Sequence, residues 1–304
     1  TPRQVKYLRM PHEALLYYSF APVENPVNLE RSQRRICEEL DLRGRIIVAE
    51  EGINGTVSGT AEACAQYRED LKKTFPDIEF KIDEVEGHVF KGLSVKVRDE
   101  IITMGVPLGT PVHQKTGRHL SPEEWREAIQ QDDVVLLDGR NDYESELGHF
   151  EGALLPPLES FRDFPAWILA HREQLEGKRI LTYCTGGIRC EKLSAWMLQE
   201  GFEEVYQLDG GIVRYGKETD GAGYVGMNVV FDDRVLVPLT PAHEPITHCR
   251  ECRAKSANYV NCANVLCNRR MILCPGCEES TSRCCSDECR NAPSLREKNA
   301  KLRV

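Results

Sequence analysis

The 304-residue sequence lacks the segments that mark membrane, secreted and nucleotide-binding proteins. No apolar run approaches the roughly 20 residues that a membrane span requires. The first residues, "TPRQVKYLRMPHE", lack the apolar core of a secretory signal. The sequence also has no Walker loop and no GxGxxG turn after a strand. We therefore expect a cytoplasmic protein with no membrane partner, long enough for two compact domains or three small ones.

Cysteine is scarce in most of the chain, because residues 1–244 hold only four of the thirteen. The other nine lie between Cys249 and Cys289, and eight of them form four closely spaced pairs. Such crowding is typical of metal binding rather than of a disulfide framework. Eight thiolates complete two tetrahedral sites, for which we expect structural zinc, with an iron–sulfur cluster as the main rival. The predicted ligands are Cys249, Cys252, Cys262, Cys267, Cys274, Cys277, Cys285 and Cys289.

Two pairings of these ligands are open. In the interleaved pairing, one site consists of Cys249, Cys252, Cys274 and Cys277, and the other four ligands form the second. In the consecutive pairing, neighbouring pairs along the chain combine. Cys284 is left over or takes the place of Cys285. The alternative to metal is a disordered tail of reduced thiols, since the segment has few large apolar residues with which to build a core.

Charge is unevenly distributed around the formal net value of −9. Residues 1–244 carry 28 lysines and arginines against 42 aspartates and glutamates, a net charge of −14. Residues 245–304 carry 11 against 6, a net charge of +5. A basic, cysteine-rich tail is compatible with phosphate binding, for which Arg269, Arg270 and Arg283 are candidates. The same charges also fit an ordinary solvated surface.

The first part of the chain alternates strand-like and helix-like segments. "ALLYYSFA" predicts one strand. "RIIVAEEGINGTVSG" predicts two strands that are joined at the glycine-rich "EEGING" turn. "NLERSQRRICEEL" and "AEACAQYREDLKKTF" predict helices, with Thr60 as the N-cap of the second. Two further strands, "IEFKIDEV" and "LSVKVRDEII", complete a βαββαβ order with one extra strand. We expect a ferredoxin-like, acylphosphatase-like α+β domain over residues 1–110.

The middle of the chain predicts a parallel α/β domain over residues 118–220, after a linker "GVPLGTPVHQKTGRH". Its first helix begins at "SPEEW", where Ser121 is the N-cap and Glu124 completes a capping box. Short apolar strands "VVLLD", "RILTY" and "VYQL" then alternate with the helices "FRDFPAWILAHREQL" and "EKLSAWMLQEGF". A small cysteine-rich module over residues 245–304 follows as the third unit.

The segment "YCTGGIRCEK" places a cysteine where a strand ends and a helix begins, the position at which parallel sheets bind ligands. Its glycines let backbone amides converge on an anion, and the helix start and an arginine add positive charge. These surroundings lower a thiol pKa, so Cys184 is the predicted nucleophile and Arg189 its charge partner. The bland alternative is a tight turn around a buried cysteine. The loop residues between Cys184 and Arg189 are Thr185, Gly186, Gly187 and Ile188. Cys190 is either a resolving thiol or a small buried residue that only fills space in the core.

These motifs resemble a known family. "VVLLDGRNDYESELGHFEGA", "YCTGGIRCEKLSAWMLQEGF" and "VYQLDGGI" are similar to rhodanese domains, in which Asp138 and Arg140 would support the loop. "AEEGINGTVSG", "FKGLSVKVRDEI" and the cysteine-rich tail narrow the resemblance to the rhodanese-domain tRNA uridine 5-hydroxylases. It covers nearly the whole chain, although Gly139 stands where rhodaneses have a bulkier residue. The resemblance implies an oxidoreductase that hydroxylates the wobble uridine of tRNA to 5-hydroxyuridine with molecular oxygen, with Cys184 as the active residue.

Other functions compete with this interpretation. The loop is similar to that of sulfurtransferases, so Cys184 could pass a persulfide sulfur to a small-molecule or protein acceptor. Four residues separate Cys184 from Arg189, one fewer than in related phosphatases. His149 and His171 are each separated from a glutamate by one residue, and such a His-x-Glu pair formally offers half of an iron triad. We expect instead a loop histidine and a solvated helix face. The electron donor, the tRNA set, the oligomeric state and the form of Cys184 (persulfide, thiolate or sulfenic acid) stay open.

Overall fold

A computed structural model describes residues 11–296. The N-terminal domain is one five-stranded sheet with two helices, and its strands run in the order β4-β1-β3-β2-β5. β5 is parallel to β2 and the other neighbours are antiparallel, which confirms the predicted ferredoxin-like fold with one added strand. Its elements are β1 His12–Phe20, α1 Pro26–Glu39, β2 Arg43–Ala49, β3 Gly52–Thr60, α2 Ala61–Thr74, β4 Glu79–Val85 and β5 Leu93–Val97.

Strand periodicity decides which face of this sheet is buried against its own helices. Leu15 and Tyr17 are fully buried in the core formed with α1 and α2. Leu16 and Tyr18 alternate with them along β1, so the side chains of Leu16 and Tyr18 project from the opposite face of the sheet. Thr60 caps α2 as predicted, because its side chain accepts a hydrogen bond from the Ala63 amide. The sheet therefore has a second face available to the rest of the chain.

The middle domain is built on a four-stranded parallel sheet in the order β6-β10-β9-β7. β8 pairs separately with β11 in an antiparallel ribbon. The predicted alternation of strands and helices is confirmed. Its elements are β6 Arg118–Leu120, α3 Pro122–Ala128, β7 Val134–Asp138, α4 Asp142–Leu147, β8 Gly148–Phe150, α5 Phe164–Ala170, α6 Arg172–Leu175, β9 Arg179–Tyr183, α7 Ile188–Gln199, β10 Val205–Leu208, α8 Gly211–Thr219 and β11 Tyr224–Gly226.

Three predicted elements have different limits in the structure. The expected linker ends inside β6, because the backbone of residues 118–120 pairs with β10. The single helix expected over residues 161–175 is wrong: a 3₁₀ turn, α5 and α6 replace it, since Pro165 forces a new helix start and the chain leaves helical geometry at His171. The strand predicted over residues 93–102 stops at Val97, because Glu51 binds the Ile101 amide.

The cysteine-rich segment forms short elements around the thiols. They are β14 Tyr259–Asn261, β15 Arg270–Ile272, α9 Pro275–Ser280 and α10 Asp287–Arg290. Two short strands that pair with each other, β12 Asn228–Val229 and β13 Leu236–Val237, precede this segment. Its small core consists mainly of cysteines, with Val260, Met271 and Leu273 among the few large apolar members. Within residues 11–296, no helix combines the length and apolar content needed to cross a membrane.

Candidate functional site

The loop that carries Cys184 lies where the sequence places it, between the end of β9 and the start of α7. Gly187 is the N-cap of α7 and has a φ of 101°, a conformation that residues with a side chain rarely adopt. That conformation turns the Gly187 amide toward the thiol, and it donates a hydrogen bond to Cys184 Sγ at 3.2 Å. Ile212, near the start of α8, donates its amide to the Cys184 carbonyl.

The Cys184 thiol is acidic. Burial by itself raises its pKa, but the Cys190 thiol, the Arg189 charge and the amides of Cys190 and Gly187 together outweigh burial and lower the pKa to about 6. The pKa of Cys190 moves in the opposite direction, because burial and the neighbouring Cys184 charge both raise it. Cys190 is fully buried and therefore stays a neutral thiol that stabilises the Cys184 thiolate.

This pKa predicts how alkylation of Cys184 depends on pH. The thiolate is the reactive form, so the rate of iodoacetamide labelling should fall as the pH drops through about 6 and be level between pH 7.5 and 9. A thiol with the free pKa of about 8.5 would instead react more than tenfold faster at pH 9 than at pH 7. Mass spectrometry of the Cys184 peptide measures the rate, with buried Cys64, whose pKa is raised to about 11, as the unreactive reference. A rate that still climbs above pH 8 would contradict the low pKa.

Arg189 acts on the Cys184 thiol through its charge, and its guanidinium binds a carboxylate. Its guanidinium donates to both oxygens of Glu144, at 2.6 and 2.7 Å, and both side chains are buried. Burial disfavours an isolated charge, so the pair holds the arginine in place at the loop. Glu144 was missed in the sequence. The signal was the capping box that opens α4, where the Glu144 carboxylate also accepts the Asn141 amide.

The other predicted loop and support residues have structural contacts. Thr185 donates its hydroxyl to the Val229 carbonyl at 3.2 Å, and Ile188 is half-buried at the start of α7. Asp138 and Arg140 form a fully buried ion pair at 2.6 Å. Arg140 Nη2 also donates to the Gly148 carbonyl, so the pair ties the end of β7 to the "GHFEGA" turn.

Gly139 has a packing reason to be glycine. A Cβ built on it would lie 3.2 Å from the Tyr183 carbonyl oxygen and 3.5 Å from Cys190 Sγ. The end of β7 therefore approaches the strand and the helix that flank the active loop more closely than a larger residue would permit.

The N-terminal domain covers the loop, which the sequence did not reveal. A Cβ built on Gly186 would lie 2.7 Å from Leu16, and one built on Gly187 would lie 2.7 Å from the Tyr18 hydroxyl. The Tyr18 hydroxyl also donates to Glu191 at 3.1 Å. These contacts come from the second face of the N-terminal sheet and leave Cys184 only 1% exposed. The candidate site is therefore formed by two domains.

Ion pairs join the same two domains. Lys192 on α7 is almost fully buried and binds Glu51 at 2.8 Å and Glu100 at 2.6 Å. Lys217 and Arg234 both bind Asp83 on β4. Lys192 and both of its carboxylate partners also line a cleft of about 630 Å³ between the N-terminal domain and the segment before β6. The charged side chains hold the N-terminal sheet over the loop.

Neither histidine considered for iron is placed to bind it. His149 Nδ1 lies 2.7 Å from the Ser145 carbonyl oxygen, and His171 stacks on Trp167 with 4.1 Å between ring centroids. In the described part of the chain, groups of side chains with the spacing of a metal site consist only of cysteines. The expected surroundings of both histidines are wrong, because His149 lies in β8 and His171 is half-buried at the break between α5 and α6.

The eight predicted metal ligands come together in two groups with the interleaved pairing. Within each group the sulfur atoms lie within 4.8 Å of one another, and separations of 3.6 Å (Cys252 to Cys274) and 3.5 Å (Cys267 to Cys285) occur. Zinc–sulfur bonds of about 2.3 Å at tetrahedral angles place sulfur atoms about 3.8 Å apart, so each group fits one tetrahedral ion. Cys284 belongs to neither group and donates to the Ser282 carbonyl.

The three arginines proposed for phosphate binding differ in exposure. Arg269 is exposed. Arg270 is also exposed but lies 4.9 Å from the Tyr143 ring centroid and 3.8 Å from Asp142, so it attaches the module to α4. Arg283 is only 9% exposed, and the expectation that it grips tRNA is wrong. Its position after a tight backbone turn carries its side chain into the module.

Three family models match the chain: the UPF0176 acylphosphatase like domain over residues 12–101, the Rhodanese-like domain over residues 121–218 and the Rhodanase C-terminal model over residues 225–290. Two relatives are the tRNA uridine(34) hydroxylases of Bacillus cereus (strain AH820) and Bacillus thuringiensis (strain Al Hakam). Each is 46% identical over 291 residues, which cover 94% of this chain and 91% of the relative.

Proposed function

Because the chain belongs to the tRNA uridine(34) hydroxylase family, we propose that it hydroxylates uridine 34 of tRNA to 5-hydroxyuridine with Cys184 as the active residue. The observation that carries this proposal is the acidic Cys184 thiol, held by the Gly187 amide at the junction of two domains. Molecular oxygen is the proposed co-substrate. One oxygen atom enters the base and the other leaves as water, so a donor must supply two electrons.

The chain's own residues prepare the thiol for this reaction. The Gly187 amide and the neutral Cys190 thiol stabilise negative charge on Cys184, and Arg189, fixed by Glu144, adds a positive charge. The N-terminal sheet covers the loop, with Leu16 against Gly186 and Tyr18 against Gly187. Transfer of a persulfide sulfur is the less favoured function, because the relatives over nearly the full length are named as hydroxylases.

We further propose that each cysteine group binds one zinc ion. Four thiolates suit zinc better than they suit a hard cation. In an iron–sulfur cluster the cysteines bind different iron atoms, so their sulfur atoms lie farther apart than the four sulfur atoms on a single ion. The ions would hold the module together and supply no step of the reaction. We also propose three units over residues 1–110, 118–220 and 245–304, of which the third supplies positive charge for tRNA. Residues 1–10 and 297–304 of these ranges lie outside the described residues. The tRNA substrate and the free cysteines fit the cytoplasm.

Nucleoside mass spectrometry tests the proposed function. tRNA from cells that lack the protein should contain less 5-hydroxyuridine at position 34 than tRNA from wild-type cells. Expression of the wild-type chain should restore the nucleoside. Labelled oxygen gas should appear in the restored hydroxyl group. Unchanged 5-hydroxyuridine in cells that lack this protein would reject the proposal. Hydroxyl oxygen that derives from water would reject molecular oxygen as the co-substrate.

A further inference from the structure

One lysine of the N-terminal sheet points to the Cys184 loop. Lys81 in β4 lies directly opposite Leu16 of β1 in the antiparallel register, so both side chains leave the same face of the sheet. Leu16 on that face contacts Gly186 of the loop. The Lys81 ammonium lies 4.6 Å from the centroid of the Tyr18 ring. The lysine is therefore part of the surface that covers the thiol.

Tyr18 connects this ammonium group to the thiol. The Tyr18 hydroxyl lies 2.7 Å from the point that a Cβ atom built on Gly187 would occupy. The Gly187 amide in turn donates a hydrogen bond to Cys184 Sγ at 3.2 Å. Burial lowers the pKa of Lys81, and the negative charges of Glu79, Asp209, Glu191 and, last, Cys184 oppose this effect. The Lys81 ammonium and the glycine that binds the thiol thus both contact Tyr18.

Lys81 differs from the other basic side chains of this interface. Lys192, Lys217 and Arg234 each bind a carboxylate of the N-terminal domain. No ion pair of Lys81 occurs within residues 11–296, where its cationic contact is the Tyr18 ring. Glu79, Asp209 and Glu191 act on the Lys81 ammonium through their charges, but none of them forms a direct ion pair with it in the described residues. Its N–H donors can therefore still bind an anion, whereas those of an ammonium already bound to a carboxylate are occupied.

We infer that Lys81 binds the phosphate of the target nucleotide while its base lies against Cys184. This inference rests on the proposed function, since a tRNA substrate supplies one phosphate for each nucleotide. A lysine binds phosphate as a point charge, without the planar geometry that arginine imposes. The N-terminal domain then does more than cover the loop: it contributes a residue that binds substrate, with Tyr18 as the aromatic surface beside it.

Alkylation by two reagents tests for an anion site beside the thiol. Iodoacetate is an anion and iodoacetamide is neutral, so the ratio of their rates at Cys184 reports local positive charge. We expect Lys81→Met to lower this ratio about three- to tenfold and Lys81→Arg to restore most of it. Lys72→Met, an exposed lysine on α2, is the matched control and should leave the ratio unchanged. A changed thiol pKa or a loosened fold affects both reagents alike, so an unchanged ratio in Lys81→Met overturns the inference.

RNA binding provides the second measurement. An anticodon stem-loop RNA with uridine at position 34 should bind Lys81→Met about three- to tenfold more weakly, and the slope of log K against log salt should fall by about 1. Lys72→Met should keep the wild-type slope. An unchanged slope in Lys81→Met overturns phosphate binding by this residue. Both measurements are independent of hydroxylation, so a wild-type protein that forms no 5-hydroxyuridine would reject the proposed function and leave the test of Lys81 intact.

Discussion

Replacement of Cys184 by serine abolishes 5-hydroxyuridine formation, if the proposed role of the thiol holds. Serine is nearly isosteric, but an alcohol does not ionise near pH 6 as this thiol does. The Gly187 amide can still bind the serine oxygen, so the fold should be retained. We expect at least a thousandfold lower rate, as for the loss of an essential nucleophile. Nucleoside mass spectrometry of tRNA from a complemented strain measures the product.

Cys64→Ser is the matched control for this experiment. Cys64 is also fully buried, and its thiol contacts the Glu13 carbonyl in the N-terminal domain, away from the loop. A serine hydroxyl can donate to the same carbonyl, so this variant should retain activity. Wild-type amounts of 5-hydroxyuridine in Cys184→Ser would remove the thiol from the mechanism. Cys190→Ser separates the two interpretations of Cys190, because a resolving thiol is essential whereas a buried donor can be replaced by a hydroxyl.

The fold could be predicted because its signals are local. The period-two pattern around Leu15 and Tyr17 and the cap at Thr60 each depend on a few neighbouring residues. The glycine loop identified Cys184 for the same reason, since strand end, loop and helix start are consecutive in the sequence. Proline at position 165 also carried a local signal, and the single helix was predicted across it in error.

The partners of these residues could not be predicted, because they come from distant parts of the chain. Glu144 and Arg189 are 45 residues apart, and Lys192 and Glu51 are 141 apart. A single sequence gives the charge of each side chain but not which opposite charge it meets after folding. The sequence also does not reveal which charged side chains are exposed: Arg283 is a basic residue in a basic segment, and its side chain is buried.

Replacement of Cys285 by serine should remove one metal ion and unfold its half of the module. The module has few apolar side chains, so the thiolate–metal bonds supply most of its folding energy, about 10–16 kcal/mol for a structural zinc site. Metal analysis should find about two zinc ions in the wild type and about one in Cys285→Ser. Cys284→Ser is a closely matched control, because Cys284 is the adjacent residue but lies outside both groups. Equal metal contents in the two variants would contradict the assigned ligands.

The effect of metal loss should reach both tRNA binding and the active loop. Tyr259 and Ile272 of the module pack against Tyr143 and Leu147 of α4, the helix that carries Glu144. An unfolded module withdraws these contacts, so Glu144 fixes Arg189 less firmly and the Cys184 pKa should rise. We expect Cys285→Ser to bind tRNA more weakly with a shallower salt dependence, and to shift the pH profile of Cys184 alkylation upward. Wild-type affinity and slope after metal loss would assign tRNA recognition to the N-terminal domain, and an unchanged pH profile would show that α4 keeps its position without the module.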